Sequence, residues 1–244
     1  MTTLLLSSRH TPDNQALWRV AVQSGWDVER VRGLTVPAGL EETELVIYLE
    51  PLIAREISGQ LGLTLIEAPE DWLVRLHAKY RRRDIEMTSL GAARRLGSPR
   101  FLKSPNDKTF AAQVYRTGAD LPAEEPDDMP LLLAEPVAFE VEYRCFVHER
   151  AVRTISPYVR FGELASQSGF VAPESEQAEA LGFANLLLAD ERVEVPVAIV
   201  LDVGRIEGRG WAAVELNGAW GAGIYGCDPC AVLEVIRNAI TRNA

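Results

Sequence analysis

The chain has 244 residues, 47% hydrophobic and 25% charged, with a formal net charge of −10 and a pI near 4.9. That length suits one large or two small domains, and the composition excludes a globally disordered chain. The acidity excludes an overall basic face for nucleic acid, and no apolar run reaches the roughly 20 residues of a membrane span. The longest candidate, LLLAEPVAF, is broken by Glu135 and Pro136. Neither a nucleic-acid nor a membrane partner is expected.

MTTLLLSSRH is too short and too uncharged at its start for a secretory signal and reads as a strand over 3–8. Thr11-Pro12-Asp13 opens a helix through Ser24, with Trp18 and Val22 expected on its inner face. Strands follow at 26–31 and 44–49, a helix over 53–61 ended by Gly62, and a strand over 63–67. This alternation predicts a small open α/β domain over 1–70, without a glycine-rich phosphate loop. The spacing predicts a helix over 71–97 that carries the KYRRR cluster, Lys79 to Arg83, either as a solvated face or as part of a site.

Beyond it come the strand FLK, the polar loop SPNDK and TFAAQVY, then an acidic, proline-rich connection over 118–130. LLLAE and the alternating AFEVEYRCFV are strands. Period two puts Glu140, Glu142 and Arg144 on one face of the latter and Phe139, Val141, Tyr143 and Cys145 on the other. AVRTISPYVRF returns as a hairpin partner, and a helix spans 174–190. A last helix over 228–242 is capped by Asp228 and packs through Val232, Leu233, Val235 and Ile236.

Between these helices, VAIVLDVGRIEGRGWAAVELNG forms two apolar strands around a polar turn. A turn centred on Glu207-Gly208-Arg209-Gly210 sets Asp202 opposite Glu215, with Asn217 diagonal on the same face. Ile199, Leu201, Val203, Val214 and Leu216 then face the core. Two facing carboxylates repel across a ladder, and a divalent cation removes the repulsion. Oxygen ligands of this kind suit Mg²⁺ or Mn²⁺ over zinc; a solvated hairpin face is the alternative. Cys145, Cys227 and Cys230, with three scattered histidines, assemble no closed zinc site, so reduced thiols in a cytoplasmic protein are expected.

In this order the motifs resemble the ATP-grasp superfamily, most like the clade named for one arginine and two lysines. The resemblance covers roughly 75–240 and implies a two-lobed fold over 71–244 with its hinge near 134–138. The whole is then α/β plus α+β, with a pre-ATP-grasp-like lobe in front. It implies that Arg83, Lys103 and Lys108 hold a triphosphate, and that Glu135 and Val137 read the adenine. Glu142 would hold the ribose, and Asp202, Glu215 and Asn217 the Mg²⁺. The implied reaction is ATP-dependent joining of a carboxylate to an amine, or less often a thiol, through an acyl phosphate. Its substrates would be small molecules or peptides. Well-known members meet the tetrahedral oxyanion with an arginine where this chain has Val200. Arg144 is the preferred substitute, with Lys103 and Arg160 as further catalytic candidates and Arg153 also considered. A nucleotide sensor that has lost ligation, or a kinase stopping at phosphoryl transfer, are the alternatives.

Overall fold

The computed structural model describes residues 1–40, 43–105 and 111–242. β1 (Thr2–Ser7), α1 (Pro12–Gln23), β2 (Asp27–Val31) and β3 (Glu44–Tyr48) open the chain, followed by α2 (Pro51–Gln60) and β4 (Leu63–Leu65). The first three strands form a parallel sheet in the order β2-β1-β3. The central strand is covered on both faces, which is why Leu4, Leu5 and Leu6 follow one another without a polar break. Thr11 caps α1 by accepting from the Asn14 amide at 3.1 Å. The inner face of α1 is Asn14, Leu17 and Ala21; Trp18 and Val22 are exposed, contrary to expectation. The buried stripe therefore runs 14-17-21, one residue off the predicted one.

The single helix expected over 71–97 is absent. Instead the chain makes α3 (Trp72–Arg75), α4 (Ala78–Arg81), β5 (Ile85–Ser89) and α5 (Leu90–Ala93). Arg82, at a left-handed φ of 48°, ends α4. β5 is drawn out of helical pattern by a partner far along the chain. β6 (Arg100–Lys103), β7 (Gln113–Tyr115) and β8 (Pro130–Ala134) complete an antiparallel sheet in the order β5-β8-β6-β7, with Ile85 opposite Ala134. Tertiary pairing overrides local propensity here.

A connection over 135–138 leads from β8 into the second large sheet. Its strands are β9 (Phe139–His148), β10 (Ala151–Arg160), β11 (Glu163–Leu164), β12 (Ala198–Ile206) and β13 (Gly210–Asn217), ordered β11-β10-β9-β12-β13. α6 (Glu174–Leu188) covers one face, burying Phe183 and Leu187 against Val141, Tyr143, Ile199 and Leu201. On the other face Phe146, Ala198 and Val200 join the core of the N-terminal unit. That core is completed by α7 (Pro229–Arg237), and β14 (Ile240–Arg242) pairs with β4. The C-terminal segment thus returns to the N-terminal unit, α7 joining its core and β14 forming a separate two-stranded sheet with β4. Asp228 caps α7 through the Ala231 amide at 2.9 Å, and its packing residues are the expected four. Among the described residues no helix is long and apolar enough to cross a membrane.

Candidate functional site

The two large sheets and the N-terminal unit enclose a cleft of about 1280 Å³. Glu135 and Val137 of the 135–138 connection line it together with Phe139, and Lys103, Glu142, Arg144, Glu215 and Asn217 line its middle. The far end is lined by Leu52, Arg55 and Glu67.

One row across the sheet organises the middle. Ser156, Arg144, Asp202 and Glu215 stand opposite one another on β10, β9, β12 and β13. Arg144 grips Asp202 with two bonds, Nε to Oδ1 at 2.9 Å and Nη2 to Oδ2 at 2.6 Å, and donates its Nη1 to the Gly223 carbonyl at 3.1 Å. Tyr158 and Tyr225 lie 4.8 and 5.0 Å from the guanidinium carbon and stack on each other. Asp202 is 0% exposed. Burial pushes its carboxyl up, Arg144 pulls against this, and the short bidentate contact is that of an ionised pair. Burial likewise pushes Glu215 up, but Lys103, which pairs with its Oε2, and the Asn217 amide bring it below the ordinary value.

The three expected metal-binding side chains therefore meet: the Asn217 amide nitrogen is 3.2 Å from Asp202 Oδ2 and 2.8 Å from Glu215 Oε1. Among the described residues no group of three His, Cys, Asp or Glu side chains is placed to hold a metal, in keeping with two carboxylates plus an amide. The donor set fits Mg²⁺ in type. Glu215 and Asn217 line the cleft, while Asp202 lies fully buried behind them in the grip of Arg144; reversing the Asn217 amide would present its oxygen as a metal donor beside Glu215.

Register shifts place the remaining residues. The turn closes as Ile206 opposite Gly210, one residue tighter than expected, and a bulge at Val214 restores Asp202 to Glu215. The same bulge moves Val214 to the cleft, while Ala213 enters the core. Arg83 binds this irregular stretch, donating to the Ala213 carbonyl at 2.8 Å and to Val214 at 3.3 Å, with its guanidinium 5.2 Å from the Phe139 ring centre. It lines the cleft, and burial lowers it to about 10. On β9 the register skips Glu140, so Phe139 joins the cleft while Glu140 pairs with Arg205, correcting the expected alternation. Gly204 makes room, since a Cβ there would sit 2.6 Å from the Phe139 ring.

Arg160 is a correction of the same kind. A bulge at Tyr158 sets Arg160 opposite Val141, and it pairs with Glu176 of α6 at 2.6 Å, away from the cleft. Arg153 is exposed and lines no part of the cleft. Val200 is buried against the N-terminal unit. Lys108 lies outside the described residues. Glu135 faces the turn of the β12–β13 hairpin: Arg209 takes both its oxygens, at 2.6 and 2.9 Å, and holds its carboxyl down to about 2. Tyr158, Tyr225, Ser104 and Arg55 escape sequence reasoning; for Tyr158, Pro157 within a central strand is the available bulge signal. Cys145 and Cys227 are buried and Cys230 is exposed, all three free.

Glu142 accepts from the Tyr158 hydroxyl at 2.8 Å, yet burial raises it to about 7. Unfolded, this carboxyl loses its proton near 4.5; folded, it keeps the proton until near 7. The folded state binds more protons in between, so this residue's contribution falls as pH rises through that window. Glu142→Gln is expected to stabilise the protein by about 2–3 kcal/mol at pH 8 and little at pH 4.5. Urea melts at the two pH values check this, and an equal effect at both would contradict it.

The sequence model of an ATP-grasp domain family, family 2 of the clade named for one arginine and two lysines, matches residues 80–235. Solved structures share the fold along nearly the whole chain. A RimK-domain ATP-grasp protein of Sphaerobacter thermophilus is 15% identical at TM-score 0.54, covering 97% of this chain and 98% of that one. D-cycloserine synthetase DcsG is 10% identical at 0.55, covering 97% and 99%. ATP-grasp ligase PsnB, complexed with a minimal precursor, is 12% identical at 0.52, covering 96% and 97%. A 77-residue stretch is 30% identical to the trimodular acetylaranotin synthesis protein ataIMG of Aspergillus terreus, taking in 31% of this chain and 9% of that protein.

Proposed function

The chain belongs to this second family of the one-arginine, two-lysine clade of ATP-grasp domains, and from that premise we propose that it is an ATP-dependent ligase joining a carboxylate to an amine. The observation that carries this reading is the row Arg144–Asp202–Glu215, with Lys103 and Asn217 closing on it at the middle of the cleft. Nucleotide would lie with its base toward Val137 and Phe139, its ribose at Glu142 and its terminal phosphates at Lys103, with Arg83 alongside. Glu215, Asn217 and Asp202 would hold Mg²⁺, which when bound neutralises charge on the terminal phosphates.

In the first step a substrate carboxylate oxygen attacks the γ-phosphorus and ADP leaves. The amine nitrogen then attacks the carbonyl of the acyl phosphate, phosphate departs and the nitrogen gives up a proton. Lys103 leaves Glu215 to bind the transferring phosphoryl group, which keeps the cation within one side-chain swing of its resting partner. Arg144 acts as a positioning residue: three of its N–H groups are committed to Asp202 and Gly223, fixing the carboxylate that would face the metal. In this reading the chain divides into 1–70 and 71–244, with the hinge near 134–138 and the C-terminal segment docked on the first unit.

The buried Val200 and the committed Arg144 favour one rival, a nucleotide sensor without ligation. Mg·ATP, a pool of amino acids and peptides, and hydroxylamine separate the two. The ligase releases ADP and phosphate and forms hydroxamates, whereas a sensor binds nucleotide and releases nothing above background. Failure to bind ATP with Mg²⁺ by calorimetry would sink both.

A further inference from the structure

The loop over 218–226 lines the cleft and is tied to the N-terminal unit at successive backbone groups. The Tyr48 hydroxyl donates to the Ala222 carbonyl at 3.0 Å, Arg144 Nη1 to the Gly223 carbonyl at 3.1 Å, and the Ile224 amide to Asp13 Oδ2 at 3.0 Å. Tyr48 ends β3, Asp13 stands in the first turn of α1 and Arg144 lies in β9. Three distant segments therefore meet on three consecutive residues. The Tyr48 hydroxyl also lies 3.2 Å from Asp13 Oδ2, and the Leu49 amide donates to the Trp220 carbonyl at 3.1 Å. Tyr48, Ala222 and Ile224 are buried, where backbone polar groups need partners, so these contacts constrain the path of the loop. Burial, helped by Asp13, holds the Tyr48 hydroxyl well above its ordinary range, which keeps it a donor.

At Gly223 this seam reaches the row. Arg144 has Nε and Nη2 on Asp202 and Nη1 on Gly223, and a planar guanidinium cannot follow one end without turning the other. Asp202 Oδ2 in turn lies 3.2 Å from the Asn217 amide, which bonds Glu215. We propose that Tyr48 and Asp13 are positioning residues for the metal site. By fixing the peptides on either side of Gly223 they fix the angle of Arg144 and, through Asp202, the Asn217 and Glu215 groups that would take Mg²⁺. The N-terminal unit thereby sets the metal site without touching it; the inference rests on the ligase reading for what that site holds. Both Asp13 contacts fall on one oxygen, so asparagine can reproduce them with its carbonyl and alanine cannot.

Tyr48→Phe, Asp13→Ala and Asp13→Asn test this in the full chain. Paramagnetic resonance of Mn²⁺ with ADP should show about tenfold weaker metal binding in Tyr48→Phe and Asp13→Ala, the lower end of what a group behind a metal ligand contributes, and near-native binding in Asp13→Asn. ADP affinity with EDTA in place of metal should stay unchanged, since neither Tyr48 nor Asp13 lines the cleft. A purely structural role would lower the melting temperature and leave the Mn²⁺ affinity of the folded protein where it was. The Arg144 Nε–H proton resonance gives a second readout that needs no ligand: it should shift in Tyr48→Phe and Asp13→Ala and keep its place in Asp13→Asn. Unchanged Mn²⁺ affinity or an unmoved Arg144 resonance in Tyr48→Phe would overturn the assignment, as would an Asp13→Asn variant as impaired as Asp13→Ala. If the unaltered protein binds no Mn²⁺ with ADP, the ligase reading falls, and the resonance alone decides whether Tyr48 and Asp13 position Arg144.

Discussion

Arg144→Met is expected to lower stability by about 3–5 kcal/mol, the scale of breaking a fully buried ion pair. The substitution removes both guanidinium donors from Asp202, which keeps only the Asn217 amide at 3.2 Å and has no solvent to turn to, and leaves the Gly223 carbonyl without its guanidinium. It also takes the cation from beside the stacked Tyr158 and Tyr225 rings. Methionine keeps much of the volume, so the loss is electrostatic and not one of packing. For that reason Arg144→Met combined with Asp202→Leu should recover most of the stability, because neither charge is then stranded. Urea melts of the two single variants and the double give the coupling by a double-mutant cycle. A single-variant loss under about 1 kcal/mol, or strictly additive effects, would mean that the pair does not organise the sheet.

The pairing of Arg144 with Asp202 shows where sequence reading stops. Each residue stands out on its own strand, but the bond joins β9 to β12, 58 positions apart, and periodicity carries no information on which strands are neighbours. Local features are legible: the Thr11 and Asp228 caps, the apolar run of the central parallel strand, and the β12–β13 hairpin. Even there Asp202 meets Glu215 by two compensating departures, a tighter turn and a bulge at Val214. The residues misplaced by alternation, Phe139, Glu140, Arg160 and Val214, all follow or flank a register shift, where one inserted residue reverses every later side chain. β5 is hidden for a different reason. Its five residues are extended because β8 pairs with them some 45 positions later, and nothing within the 71–97 window says so.

Lys103→Met should move two affinities in opposite directions. In the resting protein the site is self-neutralised, with Asp202 held by Arg144 and Glu215 by Lys103. Two carboxylates against two cations give a divalent ion little to gain, so Mn²⁺ without nucleotide is expected to bind weakly. On the proposed reading nucleotide would change this balance by offering phosphates to Lys103 and freeing Glu215, so that metal and triphosphate would enter together. Without the lysine, Glu215 is unpaired from the start: Mn²⁺ alone should bind more tightly, by about tenfold, while ATP loses about 1.5–3 kcal/mol with the charge-assisted contact. Paramagnetic resonance of Mn²⁺ with and without ADP reads the first, and calorimetry with ATP the second. If Mn²⁺ affinity is the same in both proteins, Glu215 is not restrained by Lys103. If ATP affinity is unchanged, Lys103 does not reach the phosphates. Because the two outcomes depend on opposite ends of one side-chain movement, observing both would tie the resting ion pair to the nucleotide-bound state. Neither a surface salt bridge nor a purely structural lysine predicts that combination.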